Sequence, residues 1–472
     1  MAANTASHTL GDVNEPHIRV IGGGLAGPEA ALTAARMGCR VSLYELRTVV
    51  DGKLRTTPAH ETADFGELVC SNSLKSESEN TAPWLLKQEM RRLASPLLAM
   101  ADQSAVPAGH ALAVDRIEFS RRINEAIAKE PRITVYREEV TQLDPADGQT
   151  IVATGPLTST ALSAEIQHLT GSDHLSFYDS IAPIVEADSI RMDRVYMAAR
   201  WDKGTADYIN CPFTKEEYNL FLDTLLSAES APAHDWEGLD FDAAEKICYF
   251  EGCLPIEVLA RRGRDTLRFG PMKPVGLRDP RTGKTPYAVV QLRSENLRAE
   301  SYNLVGFQNH LKFGDQAKVL RLIPGLEEAR FVRFGQIHRN TYINAPRLLT
   351  SLLNLREHPG IFFAGQLSGV EGYTESIASG LLAGIYAASL ALGRSPQPVP
   401  RSSALGSLVH YITNADPARF QPANITFDLL EPLEEELRKK IRDKKERHRI
   451  QCERSLSALE NWQEASCLSS AK

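Results

Sequence analysis

A strand, a glycine turn and a helix near residue 20 constrain this chain more than any other feature. His17-Ile-Arg-Val-Ile21 is an apolar strand-like run, Gly22-Gly-Gly-Leu-Ala-Gly27 follows it, and the alanine-rich stretch from Pro28 to Arg36 reads as a helix. Pro28 suits a first helical turn, where its missing N–H has no partner in any case. Gly38 closes the helix, and Arg40-Val-Ser-Leu-Tyr-Glu45 returns as a second strand. In such a βαβ unit the glycines Gly22, Gly24 and Gly27 let backbone N–H groups approach a pyrophosphate at the helix N-terminus. Gly23, Leu25 and Ala26 belong to the same turn. Glu45, 21 positions after Gly24, is spaced to bind a ribose hydroxyl.

Two later segments favour FAD over NAD as the tightly bound nucleotide. Ala153-Thr154-Gly155 ends one strand, and Phe362-Phe-Ala-Gly365-Gln366 ends another. A helix starting close to Gly372 and Tyr373 would point its N-terminus back at the cofactor. Helices are expected at 80–100 and 116–129, strands at 133–137 and 149–155, and a charged helix at 432–455. The last dozen residues are expected to fray. Between 186 and 325 polar, Gly/Pro-punctuated segments with short strands replace the parallel-sheet pattern. The expected fold is α/β, a Rossmann-like FAD-binding domain with an inserted smaller α+β domain. Its parts are 17–185 and 326–430, with the insertion at 186–325 and a charged C-terminal helix and tail at 431–472.

A length of 472 residues with 43% apolar and 24% charged residues fits a globular chain of two domains. The net charge of −7 argues against a protein that coats nucleic acid non-specifically, and leaves room for a local RNA-binding face. Seven scattered cysteines, an odd number, imply reduced thiols and a cytoplasmic location. Residues 1–16 lack an apolar signal core, and the apolar stretch 381–392 is too short for a bilayer, so no membrane contact is expected. No Cys/His cluster has zinc spacing, so no metal site is expected.

Two cysteines stand in settings that suit chemistry. Cys70, in Glu67-Leu-Val-Cys70-Ser-Asn-Ser-Leu74, falls in a polar loop. Cys253, in Phe250-Glu-Gly-Cys253-Leu-Pro255, falls just ahead of a helix whose first residue would be Pro255. A helix N-terminus and nearby arginines raise the thiolate fraction. Cys248 and Cys253 form C-x4-C, but a flavin disulfide reductase carries its pair shortly after the first glycine motif. From Arg261 to Arg293 nine Lys/Arg face only Asp265 and Asp279. Arg261, Arg262, Arg264, Arg268 and Lys273 are the candidate phosphate contacts. Residues 438–449 hold eight Lys/Arg against two acids, and Arg330, Arg333, His338 and Arg339 form a third basic group with aromatic residues between them.

Several blocks in one order carry a family resemblance: residues 20–31, 67–74, 106–116, 206–212, Phe250-Glu-Gly-Cys-Leu-Pro-Ile-Glu257, Arg268-Phe-Gly-Pro-Met-Lys-Pro274 and 363–375. From about His17 to Phe427 the chain closely resembles the folate- and FAD-dependent tRNA (uracil-5-)-methyltransferases. It departs from them at His110, where the family typically has Gly, and at Pro422-Ala-Asn424 in place of Pro-Met-Asn. The resemblance implies transfer of methylene from 5,10-methylenetetrahydrofolate to C5 of uridine 54 in the tRNA T-loop, with NAD(P)H reducing FAD. It assigns Cys253 to attack on uracil C6. It assigns Cys70 either to protect the methylene beside the flavin or to assist C5 deprotonation. The alternatives are the related wobble-uridine enzymes, which are longer at the C-terminus, a thiol or NAD(P)H flavin oxidoreductase, and a flavin-bearing RNA-binding protein.

Overall fold

The computed structural model describes residues 15–57, 59–172, 175–180, 182–202, 205–230, 254–296, 298–335 and 337–466. Five parallel strands form the nucleotide sheet, in the order Ile361–Phe363, Gln149–Val152, His17–Ile21, Arg40–Tyr44 and Ile133–Tyr136. Their side chains are mostly apolar, as strands covered on both faces require; Ile18, Val20, Ile151 and Phe362 are fully buried. Helix Ala26–Arg36 packs against helix Tyr373–Ala391 through small residues. A Cβ on Gly380 would lie 2.4 Å from the Ala26 carbonyl oxygen, and one on Gly384 2.8 Å from that of Ala30. The two backbones therefore touch directly. Helix Tyr373–Ala391 is buried on nearly all sides, as an apolar core helix must be. No described helix is long and apolar enough to cross a membrane.

A second sheet of six antiparallel strands has the order Tyr196–Met197, Tyr208–Phe213, Ala288–Ser294, Ser301–Leu304, Ile184–Glu186 and Phe331–Arg333. Helix Lys215–Ser227 starts from a reciprocal cap between Thr214 and Glu217 and packs with this sheet. Phe213, Phe221, Leu292 and Phe307 build a core separate from that of the nucleotide sheet. The ribbon Leu175–Ser180 with Ile337–Tyr342 joins the two units.

Local chemistry divides two of the expected helices. The helix foreseen at 80–100 is two, Ala82–Arg92 and Pro96–Gln103. Pro96 cannot continue a helix, and the Ser95 hydroxyl caps the second one by accepting from Leu98 N–H. The C-terminal charged helix is likewise two, Glu435–Lys440 and Lys444–Ala465, with Asp443 capping the latter. Residues 461–465, expected to fray, continue the last helix. Trp462 is buried, donates from its indole N–H to the Gln397 carbonyl at 3.0 Å, and holds the last turns in place.

Two buried carboxylates cap helices from neighbouring ones. Glu89 accepts from Ala404 and Leu405 N–H, both at 2.8 Å, and from the Ser455 hydroxyl. Glu29 accepts from Leu97 N–H at 2.8 Å. Burial pushes both carboxyls up to about 7, against the pull of these hydrogen bonds. A folded-state value above the unfolded one favours the native state below the unfolded value, and this contribution is lost as pH rises through about 7. Stability is therefore expected to fall between about pH 4.5 and 7, by on the order of 3 kcal/mol per group. In Glu89→Gln roughly half of that slope should vanish. The amide NH2 would also face a backbone N–H, which lowers stability at every pH by about 1–3 kcal/mol. Denaturant melts of both proteins from pH 4.5 to 8 measure this, and an unchanged slope would remove Glu89 from the titration.

Candidate active site

A cleft of about 1010 Å³, its open mouth included, lies where the parallel strands end. This is where α/β sheets bind nucleotides. Gly22, Gly23, Gly24, Leu25, Ala26, Glu45, Thr154, Gly155, Gly365, Gln366 and Tyr373 line it. Gly24 would meet nothing within 4 Å if it carried a Cβ, so it borders the open space. Gly27 instead lies behind the turn, where a Cβ would stand 1.8 Å from the Gly22 carbonyl oxygen. Gly372 also faces away from the cleft, and its close approach serves Lys75 Nζ, 2.7 Å from where its Cβ would be. The Gln366 side chain is engaged with Glu371.

Glu45 is buried and already well used. Its Oε2 accepts from Gly23 N–H at 2.6 Å, and its Oε1 accepts from the Arg47 backbone N–H at 2.8 Å and from Arg47 Nε at 3.0 Å. Arg47 also donates to the Gly23 carbonyl at 3.2 Å and pairs with Glu67 at 3.3 Å. A buried guanidinium thus compensates two carboxylates and clamps the glycine turn. Nothing in the sequence singled out Arg47; a basic residue two positions past the strand-end acid is the only signal. Open space at Gly24, the helix N-terminus beside it and a strand-end carboxylate fit a dinucleotide such as FAD.

Tyr373 connects this cleft to Cys70. Its side chain lines the cleft, and its hydroxyl accepts the Cys70 backbone N–H at 2.7 Å. Burial, and then Cys70, push the Tyr373 phenol well above its usual range, so it stays protonated. The Cys70 carbonyl accepts from Arg116 at 3.0 Å and from Arg333 at 3.3 Å. Arg116 also pairs with buried Glu295 from the antiparallel sheet. Asn72 donates to the Val114 and Ser294 carbonyls and accepts from Arg293 Nε at 2.9 Å. Lys75 pairs with Glu375 and with Asn424, each at 2.6 Å. Buried Lys87 donates to the Leu74 and Ser76 carbonyls, both at 2.8 Å, and burial pulls it down to about 8. All but the Arg116–Glu295 pair hold residues 70–76 directly, so the half-buried Cys70 sits at the seam of the two units.

The remaining described cysteines are different. Cys39, Cys211 and Cys452 are buried, and burial pushes each thiol up, Cys452 to about 12. Such thiols pack as small apolar groups. Cys253 and Cys248 lie outside the described residues. Near Cys253, Pro255 is the residue preceding helix Ile256–Arg261 rather than its first residue. Buried Glu257 in that helix accepts from His310 N–H at 3.0 Å. Of the basic candidates, Arg261, Arg262 and Lys273 are exposed. Arg264 pairs with Asp223 at 2.7 Å. Arg268 stacks over Tyr287 at 3.7 Å and pairs with Asp265 at 2.8 Å.

The family model described as "Glucose inhibited division protein A" matches residues 17–395. The methylenetetrahydrofolate–tRNA-(uracil-5-)-methyltransferase TrmFO of Koribacter versatilis is 64% identical over 94% of this chain and 97% of its own length. The chain belongs to the methylenetetrahydrofolate–tRNA-(uracil-5-)-methyltransferase family. Another member, from Solibacter usitatus, is 61% identical over 95% of this chain and 99% of its own length. The fold is also that of Aquifex aeolicus GidA, at a TM-score of 0.68 and 18% identity, covering 96% of this chain and 74% of that one. The expected fold class therefore agrees with what the family and its structural neighbour display.

Proposed function

We propose that this protein methylates C5 of uridine 54 in the tRNA T-loop, taking the carbon from 5,10-methylenetetrahydrofolate and the electrons from NAD(P)H by way of FAD. In balance, uridine, methylenetetrahydrofolate, NAD(P)H and a proton become 5-methyluridine, tetrahydrofolate and NAD(P)+. The observation that carries this reading is the Tyr373 bridge, which sets a half-buried cysteine at the edge of a dinucleotide cleft. Family membership supports the carbon donor and the uracil acceptor. The reduced thiols suit a cytoplasmic enzyme.

FAD, when bound, supplies the two electrons that convert a methylene into a methyl group. The protein's own groups handle the base. Uracil C5 is a weak nucleophile until a thiolate adds to C6 and sends the C5–C6 electron pair to O4; Cys253 is the residue for this step. C5 then bonds to the methylene as its carrier nitrogen leaves with the bonding pair. The C5 proton is lost, and two electrons and a proton delivered to the new carbon make it a methyl group as the thiolate is expelled and the ring restored. Cys70 guards the methylene or takes part in the loss of the C5 proton. Arg116 and Arg333 donate to its backbone carbonyl and hold it in place. Arg261, Arg262, Arg264, Arg268 and Lys273 contribute phosphate contacts.

The test is label transfer into tRNA that lacks 5-methyluridine, with NADPH and either carbon-labelled methylenetetrahydrofolate or labelled S-adenosylmethionine. Label should arrive from folate alone and map to the T-loop uridine. Label at the wobble position, or from S-adenosylmethionine, would overturn the reading.

A further inference from the structure

Residues 438–449 carry eight Lys/Arg against Asp443 and Glu446, a net +6 within a chain of net −7. They run from helix Glu435–Lys440 into the first turns of helix Lys444–Ala465. The shorter helix buries none of its residues, and every cation from Arg438 to Lys445 is exposed. Only two of the eight meet an acid among the described residues: Lys439 meets Glu435 and Arg449 meets Glu446, each at 2.6 Å. Arg438, Lys440, Arg442, Lys444, Lys445 and Arg447 have no acid partner there. Like charges so close together repel and weaken the fold. Arg438, Lys439 and Lys440 complement the C-terminal end of the short helix, but Lys444 and Lys445 stand at the N-terminus of the next, where the helix dipole disfavours cations.

This arm is nonetheless firmly rooted. His448 stacks on Phe427 with ring centroids 3.7 Å apart, and Gln451 and Arg454 donate to the Glu431 carbonyl. The segment just before Phe427 braces the loop that carries Cys70. Asn424 holds Lys75, and Ile425 N–H donates to Glu375 at 3.0 Å. Lys75 follows Cys70 by five residues. Unpaired positive charge is thus fixed beside a segment that ties down the loop of the candidate catalytic thiol.

We propose that this basic arm docks the sugar–phosphate backbone of the RNA substrate. The inference rests on the reading that the substrate is a tRNA and adds to it a surface on which the RNA is held. Phosphate contacts release counterions, so each one steepens the salt dependence of binding by about 0.7–0.9 in log–log slope.

The experiment compares binding of unmodified tRNA from 50 to 200 mM salt for the wild type and two variants of equal charge change. One variant is Arg438→Gln, Lys440→Gln, Arg442→Gln, Lys445→Gln. The control is Lys129→Gln, Arg191→Gln, Arg298→Gln, Lys318→Gln, whose cations are exposed and paired elsewhere on the surface. FAD absorbance verifies that all three proteins are folded. The arm variant should bind about 10–100-fold more weakly with a slope smaller by about 2–4, and its KM for tRNA should rise at unchanged kcat. The control should match the wild type. An arm variant with wild-type slope, or equal losses in both variants, would overturn the proposal. A wild type that binds no tRNA would instead overturn the reading on which it rests.

Discussion

Cys253→Ala is expected to form 5-methyluridine at least about a thousandfold more slowly than the wild type while still binding FAD and tRNA. Without a sulfur to add at C6, uracil C5 gains no electron density, and the buried thiols cannot replace it. Cys39, Cys211 and Cys452 are buried with their thiols pushed up. Cys70→Ala should lose about 10²–10⁴-fold, the range of a lost proton-transfer or positioning group. The two variants should differ in what accumulates. RNA with a C5-tritiated uridine should release tritium in neither variant if Cys70 acts in deprotonation. If Cys70 guards the methylene instead, Cys70→Ala should consume NADPH and folate without delivering carbon. Cys253→Ala at wild-type rate would sink the nucleophile assignment, and Cys70→Ala at full turnover would remove Cys70 from the mechanism. Cys70→Ala should keep the loop in place, since the backbone N–H and carbonyl of Cys70 tie it to Tyr373, Arg116 and Arg333.

What the sequence revealed and what it hid follow from the range of the interactions. The glycine turn was legible because a strand, three glycines and an acid 21 residues on encode one local geometry. The break at Ser95-Pro96 was written in the chain as well: a capping hydroxyl followed by proline is a helix start inside an apparently continuous pattern. By contrast, Arg293 reaches Asn72 across 221 residues, and Arg333 reaches Cys70 across 263. No periodicity reports such a partner. The basic run around Arg268 shows the opposite difficulty. Its residues looked alike in sequence, yet Arg264 and Arg268 are held by Asp223, Asp265 and Tyr287 while Arg261 and Lys273 are exposed without an acid partner among the described residues. Charge could be counted from composition; which charges remain available could not, because that depends on which acids the fold brings near.

The glycines of the nucleotide turn should respond to one added methyl group in opposite ways. In Gly27→Ala the new Cβ would stand 1.8 Å from the Gly22 carbonyl oxygen, a contact between two backbone segments. No side chain can swing aside, so helix Ala26–Arg36 must shift away from strand His17–Ile21. That shift also strains the packing of Gly380 on Ala26, where the backbones already touch. Overpacking of this kind costs about 2–4 kcal/mol, and the protein should purify with less than about a tenth of its FAD because the turn that approaches the pyrophosphate has moved. In Gly24→Ala the Cβ would meet no protein atom within 4 Å. The apoprotein should therefore melt within about 0.5 kcal/mol of the wild-type apoprotein. FAD should still bind more weakly, by about tenfold or more, because the methyl group occupies space the pyrophosphate needs. Denaturant melts of the apoproteins, paired with flavin titrations, separate the two effects. If Gly27→Ala retained full flavin, the turn would not be the rigid cradle that the backbone contact at Gly22 implies. If Gly24→Ala bound flavin normally, the open space beside Gly24 would not be the pyrophosphate site.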